Sequence, residues 1–189
     1  MSQQDHEYLE KIKNGNPASY AILVDKYKSM VYTICLKILR DSDDAQDAAQ
    51  EAFLKAYQQI HQFQGKSKFS TWLYTITYRT AISKFKENKI QIFPMNKHIS
   101  ENYTTSATPQ HEQLMVAQQE MYVKRAIDNL PPTEALLITL YYIDENTVRE
   151  IHEITGMAIT NIKIRLFRAR KKLERQLKFL VEAEPKLAH

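Results

Sequence analysis

The sequence predicts an all-α protein: two small helical domains joined by a flexible linker, the C-terminal one a helix-turn-helix. Three observations lead there. Apolar residues recur at helical spacing over most of the chain, with few alternating β-branched runs. Only three glycines are present, and each falls between periodic segments. Periodicity fails in one long stretch, 89–112, KIQIFPMNKHISENYTTSATPQHE, where Pro94 and Pro109 flank a Ser/Thr/Asn-rich middle. A structureless loop of that length is improbable inside one compact domain, so it reads as a linker. The predicted divisions are a first domain over 1–88, the linker 89–112, a second domain over 113–180 and a frayed tail, 181–189.

Composition narrows the class. With 189 residues and 43% hydrophobic content, the chain can bury one core or two. Net charge is only +4, but the isoelectric point near 9.0 and a C-terminal clustering of cations point to an anionic partner. The single cysteine, Cys35, lies among Val31, Ile34 and Ile38 and reads as a buried helical thiol. No disulfide can form within one chain, which fits a reducing cytosol. The opening MSQQDHEYLEKIKNG is too polar for a signal peptide, and no apolar run approaches the length that spans a bilayer. A soluble intracellular protein, without membrane insertion, is expected.

Each element has a local cause. Residues 4–14 form a short helix stopped by Asn14-Gly15. Pro17 opens a second, in which Tyr20, Leu23, Val24, Tyr27, Val31, Ile34, Cys35, Ile38 and Leu39 repeat at helical spacing to about Arg40. A third runs from Ser42 or Asp43 to about Phe63, with Ala49, Ala52, Phe53, Ala56 and Ile60 on one stripe. Between Asp41 and Leu54 it holds five acids (Asp41, Asp43, Asp44, Asp47, Glu51) and no base. Acids in a first turn complement the helix dipole. The opposite side, with Asp44, Asp47, Gln50, Glu51 and Leu54, suits a solvated face or a protein partner equally. Gly65 to Ser70 form a lysine-bearing polar loop, and Ser70 or Thr71 caps the next helix. There Phe69, Trp72, Leu73 and Ile76 make a core stripe, while Tyr74 and Tyr78 fall on another side beside Thr71, Thr75 and Arg79. Aromatic rings among cations and hydroxyls suit single-stranded nucleic acid, each stacked base contributing roughly 1–3 kcal/mol; ordinary packing accounts for the spacing as well.

The second domain begins near Gln113 with a helix to about Asn129. The Leu130-Pro131-Pro132 break follows, then a helix over 133–142 in which Thr133 is a candidate cap. Thr147 and Glu150 make a capping box for the next helix, whose Val148, Ile151 and Ile154 share a face. Gly156 is suited to the left-handed turn that ends it. A long helix restarts at Ala158 or Ile159, with Ile159, Ile162, Leu166, Ala169 and Leu173 on its inward stripe. Two helices joined by a short Gly-containing turn describe a helix-turn-helix. The outward face carries Thr160, Ile164, Phe167, Arg168 and Lys171, flanked by Asn161 and Lys163. Apolar side chains beside cations gain nothing in water. In a DNA major groove they meet thymine methyls while Arg or Lys bonds guanine. Residues 147–178 hold nine Lys/Arg against three Glu, a surplus of +6 that suits phosphate neutralisation.

Three segments, DAQDAAQEAFLKAY at 44–57, FQGKSKFSTWLYTITYR at 63–79 and LPPTEALLITLYYIDENTVREIHEITGMAITNIKIRLFRARKKL at 130–173, stand in the order and spacing of one family. The chain resembles a bacterial RNA polymerase sigma factor of the extracytoplasmic-function group of the sigma-70 family. The resemblance implies a first domain that docks on core polymerase and melts the minus-ten element, and a second that reads the minus-thirty-five element. It implies polymerase-clamp contacts from Asp44, Asp47, Gln50, Glu51 and Leu54. Lys66, Ser67, Lys68, Phe69, Trp72, Tyr74, Tyr78 and Arg79 would line the path of the melted strand. Asn161, Lys163, Ile164, Phe167 and Arg168 would read the duplex, with Arg149, Arg165 and Lys171 nearer phosphates. The helix around Leu136, Leu137 and Leu140 would meet the polymerase flap, and an anti-sigma factor is a possible further partner. The sequence departs from the family at Arg79, where relatives often carry Asn, and at Ala158, where a Ser cap is common; Thr160 or Asn161 stands ready to replace that cap.

Other functions fit less well. A helix-turn-helix regulator acting on duplex DNA without polymerase leaves the acidic helix and the aromatic loop without a role. An enzyme would need chemistry that the scattered His6, His61, His98, His111, His152 and His189 do not offer. They have neither metal-ligand spacing nor a nucleophile–base pairing, so no metal or cofactor is expected. A pure interaction scaffold does not explain the outward cation–apolar face.

Overall fold

The computed structural model describes residues 3–91 and 111–183, with side chains described over 4–88 and 119–178. Among these residues the elements are α1 (Gln3–Lys13), α2 (Ala18–Leu39), α3 (Ser42–Gln59) with a terminal 3-10 turn (Ile60–Gln62), α4 (Phe69–Gln91), α5 (His111–Asp128), α6 (Pro132–Ile138) continuing as a π-helical turn (Thr139–Ile143), α7 (Val148–Thr155) and α8 (Ile159–Ala183). Most of the expected linker lies outside the described residues, as does the tail beyond 183; residues 89–91 continue α4 and 111–112 already belong to α5.

The first half is a bundle of α2, α3 and α4, with α1 laid against α2. Small side chains make its tight approach possible: Ala45, Ala48, Ala52 and Ala56 of α3 are buried, as are Val31, Ile34, Cys35 and Ile38 of α2. Asp41 caps α3, its carboxylate accepting from the amides of Asp43 and Asp44 at 3.0 Å each. On α1 the buried Asp5 accepts from Lys26 at 2.6 Å and from the Tyr27 hydroxyl at 2.9 Å, so a costly burial is offset by two bonds. An aromatic cluster closes the base of the bundle. Phe63 and Phe69 each lie within 6 Å of Trp72, at 5.2 and 5.7 Å between ring centroids, and Tyr27 bridges Phe69 and Tyr74.

The second half packs α6 and α7 against α8. Ile151 and Ile154 of α7, Leu137 and Leu140, and Ile162, Leu166 and Ala169 of α8 form its core. The capping box at α7 is complete. Thr147 Oγ1 accepts from the Glu150 amide at 3.2 Å, and the Glu150 carboxylate accepts from the Thr147 amide at 2.8 Å. Gly156 ends α7 with φ 72°. Three local readings need correcting. Thr133 does not cap α6, which is preceded by Pro131 and has no side-chain cap. The helix from Pro132 does not stay regular to Tyr142: its last turn widens, the Asp144 amide reaching the Thr139 carbonyl at 3.1 Å. Ile159, expected on the inward stripe, is 43% exposed at the first residue of α8.

The two halves touch. α4 packs on α7, and α2 packs on α6. The buried Lys37 pairs with Asp128, while Arg40 donates to the Asp128 carbonyl at 2.5 Å and the Leu130 carbonyl at 2.6 Å. On the other side Lys68 pairs with Glu150 at 2.8 Å, and the Tyr74 hydroxyl donates to Asp144 at 3.2 Å.

Candidate nucleic-acid interface

The duplex-reading candidates form one continuous face. α8 buries Ile162, Leu166 and Ala169, and that fixes the opposite side. Asn161, Lys163, Ile164, Phe167, Arg168 and Lys171 are all exposed there. Ile164 is 45% exposed and Phe167 52%, with Lys171 Nζ 5.1 Å above the Phe167 ring. Arg165 is half-buried, its Nε donating to Asn161 Oδ1 at 3.0 Å, which orients both side chains. Arg149 stands one helix away on α7, exposed and 3.9 Å from Glu153. Lys163 and Arg168 make no ion pair among the described residues, so their charge is available to an outside anion.

The acidic side of α3 is less open than its sequence suggests. Lys84 of α4 lies 3.4 Å from Asp44 and 3.1 Å from Asp47, and Asn88 donates to Asp44 at 2.7 Å. Those two acids raise the Lys84 ammonium above its ordinary range despite its burial. Asp47, Gln50 and Glu51 remain exposed, Glu51 sharing its charge with Lys55 at 2.6 Å. Leu54 is 58% exposed, the next turn adds exposed Tyr57, and the two edge an open groove of about 720 Å³. Pro17, Tyr20, Val24 and Phe53 line its apolar wall. Sequence reading left this groove unseen. The signal was Leu54 and Tyr57 on an otherwise polar helix face.

The strand-path candidates divide by burial. Lys66 and Lys68 are exposed and Ser67 half-exposed in the loop, where Gly65 takes φ 70°. Tyr78 is half-buried and Arg79 exposed. Phe69 and Tyr74, by contrast, are each only 1% exposed, and Trp72 is partly buried in the aromatic cluster. The reading that Tyr74 lies away from the core is corrected: α4 is contacted by α2, α3 and α7, so it buries more than the single stripe of Phe69, Trp72, Leu73 and Ile76. Burial, then the Asp144 carboxylate that accepts its proton, pushes the Tyr74 hydroxyl well above its ordinary range. α4 also starts two or three residues early, at Phe69, so neither Ser70 nor Thr71 is its cap. A last correction concerns Leu136, Leu137 and Leu140, which are at most 2% exposed and make core contacts. The apolar surface of that segment is Tyr141, Tyr142 and Ile143, turned outward by the widened turn.

Comparison with known proteins accounts for both halves. Residues 23–90 match the family described as Sigma-70 region 2, and residues 120–173 match Sigma-70, region 4. The RNA polymerase sigma factor SigW of Bacillus subtilis is 32% identical, covering 95% of this chain and all of the relative. The sigma-E factor of Haemophilus influenzae is 30% identical, over 96% of this chain and all of the relative. Both are described as extracytoplasmic-function factors. This chain belongs to that group of the sigma-70 family. Solved structures share the fold. RpoE of Bartonella quintana in complex with the anti-sigma factor NepR aligns with a TM-score of 0.63 at 21% identity, over 84% of this chain and 96% of that one. CnrH in complex with the cytosolic domain of CnrY aligns at 0.62 and 18% identity, over 92% and 97%. The sigma factor thus carries its region 4 match on α5 to α8 and its region 2 match on α2 to α4. No helix among its described residues is long and apolar enough to cross a membrane.

Proposed function

We propose that this sigma factor binds core polymerase through 1–88, reads promoter duplex through 113–180, and acts in the cytoplasm without catalysing a reaction of its own. The observation that carries the duplex role is the outward face of α8, where Ile164 and Phe167 stay exposed between Lys163, Arg168 and Lys171. Ile164, Phe167 and Arg168 suit base edges together with Asn161 and Lys163; Arg149, Arg165 and Lys171 suit flanking phosphates. Clamp docking is assigned to Asp47, Gln50, Glu51 and Leu54, with Asp44 at the edge, and the groove beside Leu54 and Tyr57 takes the partner's apolar side chains. Flap contact is assigned to Tyr141, Tyr142 and Ile143 in place of the buried leucines.

For strand capture, Lys66, Ser67, Lys68, Tyr78 and Arg79 supply cations and a ring on the loop and the first half of α4. Phe69, Trp72 and Tyr74 support that surface from beneath. Unstacking and flipping a base costs a few kcal/mol, which such contacts offset locally. Regulation by an anti-sigma protein is proposed on the strength of the fold shared with RpoE in its NepR complex. The test is reconstitution: purified chain added to sigma-free core polymerase, with start sites mapped by sequencing. Enablement of a discrete set of start sites is expected. Absence of both polymerase association and any start site overturns the assignment.

A further inference from the structure

We propose that Arg165 sets the base preference of Asn161: by holding the amide oxygen it turns Asn161 into a hydrogen-bond donor toward the major groove, suited to guanine or thymine and set against adenine. The proposal deepens the duplex-reading role assigned to α8 above and rests on it. Among the five residues assigned there to base edges, Asn161 alone carries both a donor and an acceptor. Lys163 and Arg168 only donate, and Ile164 and Phe167 do neither. The orientation of one carboxamide therefore decides whether this set can accept a hydrogen bond from a base at all.

That orientation is set before DNA arrives. Arg165 lies four residues on, one turn along the same side of α8, and its Nε donates to Asn161 Oδ1 at 3.0 Å. A guanidinium has donors and no acceptor, so only the oxygen of the amide can face it. Arg165 is half-buried at the edge of the face, whereas Asn161 is exposed on it. The bond leaves the Nδ2 amine as the group that Asn161 offers outward. An unrestrained asparagine grips adenine with both ends, Oδ1 accepting from N6 and Nδ2 donating to N7. Here the oxygen already accepts a bond. Its remaining lone pair stands beside a positive charge, which repels the positive end of another N–H. Adenine would bring its N6 amine to that place, and cytosine its N4 amine. Guanine instead presents O6 and N7, two acceptors side by side, and thymine presents O4. Arg165 keeps its terminal N–H groups for a phosphate, so it serves as a contact and as a positioning residue. Because the bond exists in the free chain, its ordering cost falls on folding and not on binding.

The test is selection of DNA duplexes, randomised across the upstream element, by reconstituted holoenzyme, with bound and input pools sequenced. Asn161→Ala locates the base pair that Asn161 reads, since preference should flatten there. Wild type should favour guanine or thymine over adenine at that position. Arg165→Met removes the donor but keeps an unbranched stem, and should raise adenine relative to guanine about fivefold or more. Arg165→Glu should do the same by inversion: a carboxylate accepts from Nδ2 and turns Oδ1 toward the base. It decides the matter alone if Arg165→Met does not fold. A phosphate contact without positioning predicts instead a uniform loss across all sequences with the preference intact. That result overturns the proposal, as does an adenine preference in wild type or an Asn161→Ala profile equal to wild type at every position. Failure of the duplex role is read separately with Lys163→Ala and Arg168→Ala. If neither alters the selected profile at any position, α8 is not the reading helix. If either does while the Arg165 variants keep the wild-type preference at the Asn161 position, only the positioning falls.

Discussion

Replacing Arg168 or Lys163 by alanine separates base reading from phosphate contact on α8. Both side chains are exposed on the side opposite buried Ile162, Leu166 and Ala169, and neither forms an ion pair among the described residues. Truncation therefore costs the fold almost nothing, and any loss belongs to DNA. Loss of a base contact should weaken binding to the cognate upstream element by about 1–3 kcal/mol, or about 5- to 160-fold, with the salt dependence nearly intact. Loss of a phosphate contact should instead weaken all sequences alike and reduce the slope of log affinity against log salt by about 0.9. Over a fourfold rise in salt that slope change brings variant and wild type together by about 3.5-fold. The assay is anisotropy with reconstituted holoenzyme, on cognate and scrambled upstream duplexes, at several salt concentrations. Arg168→Lys adds a control, since it keeps the charge but not the planar fork that grips guanine. Both alanine variants matching wild type in affinity and in slope would refute α8 as the reading helix.

Four further outcomes follow from the geometry. Thr147→Ala removes the cap at the start of α7 and should cost about 1 kcal/mol in thermal or urea unfolding. Leu137→Ala opens a cavity at a fully buried position and should cost about 2–5 kcal/mol in the same measurement; less than 1 kcal/mol would show that the site is not core. Tyr78→Ala, at a half-buried position, should slow promoter melting followed by a fluorescent base near the start site, with little change in far-ultraviolet circular dichroism. The pH dependence has a definite sign. Burial pushes the Glu150 carboxyl up, but its bonds from Lys68 and Thr147 outweigh that, so the folded protein holds it below its ordinary value of 4.5. The stability it contributes is present above that value and lost as pH falls through the lowered one. Glu150→Gln should therefore show a shallower acid loss in a pH titration of unfolding; a slope equal to wild type contradicts the pairing.

Local chemistry was legible in the sequence wherever neighbours in the chain decide the outcome. The Thr147–Glu150 box, Gly156 at φ 72° and the exposed Ile164 and Phe167 all depend on residues within one or two turns, and each stands where it was expected. What escaped depends on partners far along the chain. Tyr74 was assigned to the outside of α4 because a single helical wheel has one core; its proton acceptor, Asp144, is 70 residues away. Lys84 neutralises part of the α3 acids and Asn88 hydrogen-bonds Asp44, from 37 to 44 residues downstream, beyond the reach of charge counting within one helix. The widened turn at 139–143 shifts the register by one residue. It turns Tyr141, Tyr142 and Ile143 outward, whereas Leu136, Leu137 and Leu140, where the resemblance places a partner contact, are buried by packing that local sequence does not reveal.

Arg40 shows how one position can serve two masters. Its backbone sits at φ 61° to end α2, a conformation that costs a side-chain-bearing residue about 1–2 kcal/mol and a glycine almost nothing. The same residue's guanidinium spans the gap to the carbonyls of Asp128 and Leu130. Judged by its own turn, glycine is the better choice; judged by the pairing of the two lobes, it is the worse. Arg40→Gly should accordingly tighten the end of α2 while loosening the hold of one lobe on the other. A stabiliser chosen for the helix alone would thus change how readily the molecule unfurls.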